Sequence, residues 1–167
     1  MTAIITPIDN GTAKGLQVGD RILISGRIYC GRDAVLPRIC RLIGTGELDR
    51  CGIDLRGAVI FHTAVSQAGV GPTSSNKLEI EQSFGPLSRA GVKLHLGKGK
   101  ISDSTVRILE ENNSVYAVIP PVTALLENNT MERRLVAFPE LGMEAFYELT
   151  VREYPAIIAA AQGASIY

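Results

Sequence analysis

Apolar residues in this chain come in short runs, and Gly or Pro closes almost every run. Ala3–Ile8, a short run that is mostly apolar, predicts a first short strand. Gly19-Asp20 turns the chain into Arg21–Tyr29, where Ile22, Leu23, Ile24 and Ile28 predict a second strand. A helix is predicted over Asp33–Ile43, because Val35, Ile39, Leu42 and Ile43 fall on one helical face. Pro37 is compatible only with a first turn, so that helix must begin close to Leu36, and Gly44 and Gly46 end it.

Further along, Ala58–Thr63 predicts a short buried strand and Gly69–Asn76 (GVGPTSSN) a loop. A helical stretch containing Leu87 ends at Gly91, ahead of a strand at Val92–Leu96. Ser102 is placed to cap a helix reaching about Glu111. Val115–Ile119 predicts a strand stopped by Pro120-Pro121, and Val122–Asn128 a short helix. Leu135–Phe138, Phe146–Val151 and Ala156–Ala161 predict three more strands. Strands alternating with helices imply an α/β domain with a parallel core sheet, and the crowded early and late strands imply a second sheet.

Length and composition narrow the classes. At 167 residues one domain, 1–167, is expected, large enough for a core without disulfides or metal. Hydrophobic residues make up 46% and charged residues 20%, a globular balance. Lys+Arg and Asp+Glu number 17 each, and Trp is absent, so neither a basic nucleic-acid platform nor a base-stacking surface is expected. No apolar run approaches the roughly 20 residues of a membrane span. The start, MTAIITPIDNG, lacks the basic and long apolar regions of a signal peptide, and Cys30, Cys40 and Cys51 match no common zinc or disulfide framework. A reducing, cytoplasmic setting is expected, with no metal held by this chain.

Several polar residues sit where chemistry could be done, and each has a plainer reading. Gly97-Lys98-Gly99 follows a predicted strand, and its glycines would let a ligand approach the backbone and the lysine charge; from spacing alone a tight turn with a solvated lysine is the favoured reading. Arg32-Asp33 lies between a strand end and a helix start, so Arg32 could fork onto a carboxylate while Asp33 complements the helix dipole. Thr73, Ser74 and Ser75 after Pro72 resemble an N-cap cluster, or an anion site whose hydroxyls would need activation to move protons. His62 and His95 both lie in apolar runs, which suits packed core histidines. Cys30 is read as an inert buried thiol or a pocket wall, and Glu144 as a base or, more simply, a residue that opens a strand or pairs with a lysine.

The order of these pieces resembles the β subunit, or C-terminal domain, of the class I iron–sulfur hydro-lyases, which are class I fumarases and L(+)-tartrate dehydratases. GDRILISGRIYCGRDAVLPR (Gly19–Arg38) is similar to the family's GD…SG…TARDAAHKR pattern, and GPTSSNKL (Gly71–Leu78) to its GPTTxxRM loop. GKG (Gly97–Gly99) matches outright. ELGMEAFYELTVREYPA (Glu140–Ala156) is similar to the family's GMEA…V…FPA run, and QGASIY (Gln162–Tyr167) to its closing segment.

This resemblance implies a three-layer swivelling β/β/α domain with a parallel sheet and a smaller antiparallel sheet. It implies a hetero-oligomer with an α subunit whose own cysteines hold a [4Fe-4S] cluster, and a small 2-hydroxy dicarboxylate of the malate/fumarate or tartrate/oxaloacetate type as substrate. Arg32, Lys77 and Lys98 match the family's substrate-binding cations and Thr73 its proton-abstracting hydroxyl. The chain also departs from the family: Leu36 stands where histidine is usual, Cys30 replaces threonine, Lys77 replaces arginine, His62-Thr63-Ala64 replaces a Tyr-x-Gly-Pro turn, and Ala159–Ala161 lacks an aspartate. The departures leave two alternatives open: a hydro-lyase for another hydroxy acid, or a non-catalytic binding or assembly subunit that keeps the fold.

Overall fold

The computed structural model describes residues 1–66, 69–73, 77–120 and 123–167, and for residues 66, 69–73, 77–80 and 123 it describes the backbone alone. Five strands run parallel and adjacent: β1 (Thr2–Ile5), β2 (Arg21–Cys30), β3 (Val59–Phe61), β6 (Leu94–Gly97) and β7 (Val115–Val118). Helices supply the crossovers: α1 (Asn10–Gly15), α2 (Leu36–Thr45), α3 (Lys77–Arg89) and α4 (Asp103–Glu111). Between β3 and α3 a two-stranded antiparallel ribbon is inserted, β4 (Thr63–Ser66) and β5 (Gly69–Thr73). After β7 come α5 (Thr123–Asn128), β8 (Thr130–Ala137), the long β9 (Phe146–Ala161) and β10 (Ala164–Ser165).

The late strands do not form a separate sheet. β9 pairs antiparallel with β2 along one edge, and with β7 and β8 along the other, so eight strands belong to one mixed sheet. The pairings β2-β3-β6-β7-β9 lead back to β2. Strand alternation then sorts the core. Ile22, Ile24, Ile28, Val59, Phe61, Leu94, Leu96, Val115 and Ala117 share one cluster with Leu149, Tyr154 and Ile158 of β9. Their sequence neighbours face the helices: Tyr29 and Ile60 pack with Val35, Leu36 and Ile39 around α2, and Tyr116 with Val106 and Leu109 on α4.

Local chemistry explains most element boundaries. The Ser102 hydroxyl accepts from Thr105 N at the start of α4, as its position predicts. Pro37 sits in the first turn of α2, and Gly46 closes that helix, which runs through Gly44. The six-residue α1 carries no apolar stripe in the sequence; Asp9 caps it, accepting from Thr12 N at 2.6 Å, and Ala13 is its buried contact.

Three more expectations are corrected. Residues 69–73 are strand rather than loop, because a two-stranded ribbon tolerates Pro72 and a register shift between Thr63 and Val65 absorbs the irregularity; residues 74–76 lie outside the described residues. Phe146–Val151 and Ala156–Ala161 are one strand, because a bulge opposite Ser25 carries the chain through Arg152–Pro155. Glu153 takes a positive φ of 54° there and its N–H donates to Ser25 Oγ at 2.9 Å. β8 also begins at Thr130, five residues before the predicted strand, since Glu132, Arg133 and Arg134 mask it with charge.

Both histidines are fully buried on the helix-facing side of the sheet. His62 Nε2 and His95 Nδ1 share a hydrogen bond of 3.2 Å, and Ser88 Oγ of α3 lies 2.9 Å from His95 Nε2. The Phe84 ring stacks on His95 at 4.2 Å. One proton fits between the two imidazoles, and burial favours the neutral form of each. His62 is lowered to about 3 and His95 falls well below its ordinary range, further depressed by His62.

The unfolded chain protonates these rings near pH 6.5, so stability is fully present above that pH and is lost as pH falls toward the lowered folded values. Each histidine costs up to about 1.4 kcal/mol per pH unit below 6.5. Urea unfolding at pH 7.5 and 5.5 should show the loss, and His62→Phe should roughly halve it.

Candidate functional site

The register places one row of residues at the same height across the sheet: Cys30 opposite Phe61, Phe61 opposite Leu96, Leu96 opposite Ala117. The ladder runs slightly past this row, with Gly31 N donating to Phe61 O (3.1 Å), His62 N to Leu96 O (3.0 Å) and Ile119 N to Gly97 O (3.2 Å). Beyond it the chain leaves each parallel strand at its carboxyl end, the end at which parallel α/β sheets, open or closed, place ligand sites. Arg32 lies two residues past Cys30, and Lys98 two past Leu96. With β3 between them, their strands stand about 10 Å apart.

Each cation has a fixed backbone. Arg32 O accepts from Val35 N at 3.2 Å and Leu36 N at 3.0 Å, so the arginine is built into the turn that opens α2. Gly31 before it has no room for a side chain, since a Cβ would lie 2.6 Å from Val35 Cγ1 and 3.2 Å from Phe146 Cδ1. Lys98 is exposed at the tip of its turn. The turn is held from below by Tyr116, whose hydroxyl donates to Gly99 O at 3.0 Å. A Cβ at Gly97 would lie 3.2 Å from that ring, a tight contact, and Gly99 has a φ of 77°, a conformation that favours glycine.

Thr73 and Lys77 stand on the connection from β3 to α3, between the other two loops in the sheet order. The Thr73 backbone pairs with Thr63, one residue beyond His62, and Lys77 is the first residue of α3. Their side chains lie outside the described residues, as do Ser74 and Ser75. All four candidate residues therefore occupy three neighbouring connections at one end of the sheet, while the side-chain geometry on the page is that of Arg32 and Lys98. A separate cleft of about 550 Å³, lined by Thr6, Gly26, Arg27, Tyr29, Asp54 and Glu148 among others, includes neither.

Other expectations resolve at this end of the sheet. Cys30 faces the core and is fully buried, and burial pushes its thiol pKa up, so it is no pocket wall. Leu36 is buried in the α2 core. Glu144 pairs with an arginine rather than a lysine: its Oε1 lies 3.4 Å from Arg32 Nε. Sequence reasoning did not link these two, although both stood in recognisable motifs. Among the described residues no three or more His, Cys, Asp or Glu gather as a metal site, and no helix is long and apolar enough to cross a membrane.

Residues 6–167 match the family described as Fumarase C-terminus. A Methanocaldococcus jannaschii protein named provisionally as an L(+)-tartrate dehydratase subunit beta is 29% identical over 169 residues, covering 92% of this chain and 85% of that one. The L(+)-tartrate dehydratase subunit beta of Escherichia coli K12 is 29% identical over 168 residues, 93% of this chain and 80% of its own. Fumarate hydratase 2 of Leishmania major is 26% identical over 163 residues, which are 91% of this chain but 28% of that longer protein. With the match running from the end of β1 to the last residue, the chain belongs to the fumarase C-terminus family.

Proposed function

We propose that this chain, as one domain over 1–167, is the β subunit of a cytoplasmic heteromeric hydro-lyase that reversibly dehydrates a 2-hydroxy dicarboxylate. The observation that supports the reading is the shared register row: the connections that bear Arg32, Thr73 with Lys77, and Lys98 follow three adjacent parallel strands whose ends stand level. The names of the relatives support it: two are subunit beta of an L(+)-tartrate dehydratase and one is a fumarate hydratase. The domain is read as the swivelling three-layer arrangement, set against an α subunit at this end of the sheet.

Dehydration removes a proton from the carbon beside a carboxylate, and negative charge builds on that carboxylate in the transition state. Arg32, Lys77 and Lys98 are the cations that hold the two carboxylates, and fixed positive groups favour the transition state more than the ground state. Thr73 is the residue assigned to take the proton, which it can do only as its alkoxide, after its own hydroxyl proton has passed to a base or to water. The leaving hydroxyl requires a Lewis acid, which a [4Fe-4S] cluster in the α subunit supplies when bound. The cysteines here are scattered, with Cys30 in the core, Cys40 on α2 and Cys51 in the 3-10 turn Leu48–Cys51, so this chain offers that cluster no thiolate set.

A second reading has one observation in its favour. Leu36, where the family usually carries histidine, is absorbed into the α2 core and presents no polar group to the site. On that reading the chain is an assembly subunit without turnover of its own substrate.

Reconstitution separates the two. The isolated chain should be colourless and inactive, and co-expression with its α partner should give dehydration of L-tartrate or malate; robust turnover by the chain alone, or none by the reconstituted complex, counts against the hydro-lyase reading. Within an active complex, Lys98→Met should weaken dicarboxylate binding by roughly tenfold or more, the worth of one charged hydrogen bond. Thr73→Val should lower kcat and leave binding nearly unchanged, because its task lies in the transition state.

A further inference from the structure

Along one edge, β2 outruns the strands beside it. β1 pairs with Ile22–Ser25 and β3 with Tyr29 and Cys30, so on that edge Gly26, Arg27 and Ile28 face no strand among the described residues. The gap opens into the cleft of about 550 Å³ that excludes Arg32 and Lys98. On the other edge β9 sets Thr150 opposite Arg27, Leu149 opposite Ile28 and Glu148 opposite Tyr29. Ile28 and Leu149 belong to the inner core cluster. Alternation therefore turns Arg27, Tyr29, Glu148 and Thr150 to the other face, and all four line the cleft. Opposed Cβ atoms stand about 5 Å apart across such a pair, and alternate residues of one strand about 7 Å apart.

The acceptors of this cleft are committed. Asp54 accepts from Arg56 Nε at 3.0 Å and from Arg56 Nη2 at 2.9 Å. Glu148, with its side chain 13% exposed, accepts from Arg134 Nη2 at 3.2 Å. The donors are not committed. Arg27 approaches Glu148 only to 4.0 Å and makes no hydrogen bond among the described residues. The Tyr29 hydroxyl accepts from Asp54 N at 3.3 Å, which leaves its own proton with no acceptor among the described residues, although the residue is buried. Burial also holds this phenol above its ordinary pKa, so it stays a donor. Thr6 Oγ1 is buried without a partner at the cleft wall, beside Gly26. A Cβ at Gly26 would collide with that oxygen, and its φ of 115° favours glycine, so the space the hydroxyl occupies depends on this residue.

We propose that this cleft is a binding site for a small oxyanion, an inference that goes beyond the hydro-lyase reading and does not depend on it. A ligand here meets unspent donors, the Arg27 guanidinium and the Tyr29 and Thr150 hydroxyls, so it must itself be rich in acceptors. The guanidinium fork matches two oxygens of one carboxylate or phosphate group. A cation would find both carboxylates already bonded to arginines. Glu148 opposes the anion through its charge, and Arg134, which lies outside this cleft, reduces that opposition by holding the carboxylate.

The test is an amide-resolved NMR titration of the full chain with inorganic phosphate and with acetate, each against sodium chloride at the same ionic strength. At least one oxyanion should bind saturably in the millimolar range, with shifts at Arg27, Tyr29 and Thr150. Arg27→Gln, at an exposed side chain, should weaken that binding by about five- to tenfold, and Tyr29→Phe by about threefold. Glu148→Gln should strengthen it by about twofold or more. The spectrum of each variant reports its fold directly. The proposal is overturned if neither oxyanion saturates, if chloride gives the same shifts, or if Arg27→Gln binds as the unaltered chain does. A response confined to Arg32 and Gly97–Gly99 places the anion at the other site and overturns it equally.

Discussion

The double pairing of β9 is the constraint from which the rest follows. One sixteen-residue strand satisfies β2 along one edge and both β7 and β8 along the other. It thereby brings the two ends of the parallel run β2-β3-β6-β7 into contact with the same partner. Every inward-facing apolar residue of those strands then has Leu149, Tyr154 or Ile158 of β9 available to it in one cluster. The bulge at Glu153 is what lets a single strand serve both neighbours, since a strand of that length without a bend would not follow the twist of both. The bulge in turn depends on Ser25, whose hydroxyl takes up the N–H that the ladder leaves over.

Because the parallel strands are locked in register, their exits are locked as well. Arg32 and Lys98 inherit their positions from backbone hydrogen bonds one or two residues earlier, and the connection carrying Thr73 leaves from the strand between them. The charges at this end of the sheet are thus placed by the apolar face below them. That is how a chain with as many acidic as basic residues gathers cations on adjacent loops.

Much of this was legible in the residues. Strands β2, β6 and β7 and helices α2 and α4 carry clear alternation, a cap or a proline, and the structure has each within a few residues of its expected bounds. The glycines around Lys98 and the strand-to-helix position of Arg32 marked both as candidates. What escaped had physical reasons. Helix α1 is made by a cap and one buried alanine, too little for a periodic signal. The ribbon β4–β5 was hidden by Gly71 and Pro72, which propensity assigns to turns, and β8 by its charges. The Arg32–Glu144 pair spans more than a hundred residues, and only the β2–β9 register reveals it.

The Tyr116 hydroxyl bond to Gly99 reaches further than its local role. The Tyr116 ring belongs to the cluster that includes Val106 and Leu109 of α4, so the turn bearing Lys98 rests on the α4 core. A change of volume in that core shifts the ring and moves the lysine without altering a single polar residue. For the divergence of such proteins, this means that the reach of Lys98 is open to drift through ordinary hydrophobic substitutions. Two chains with identical loops but different α4 interiors would then present that lysine at different heights above the sheet, a distinction that comparing the loop motifs alone would miss.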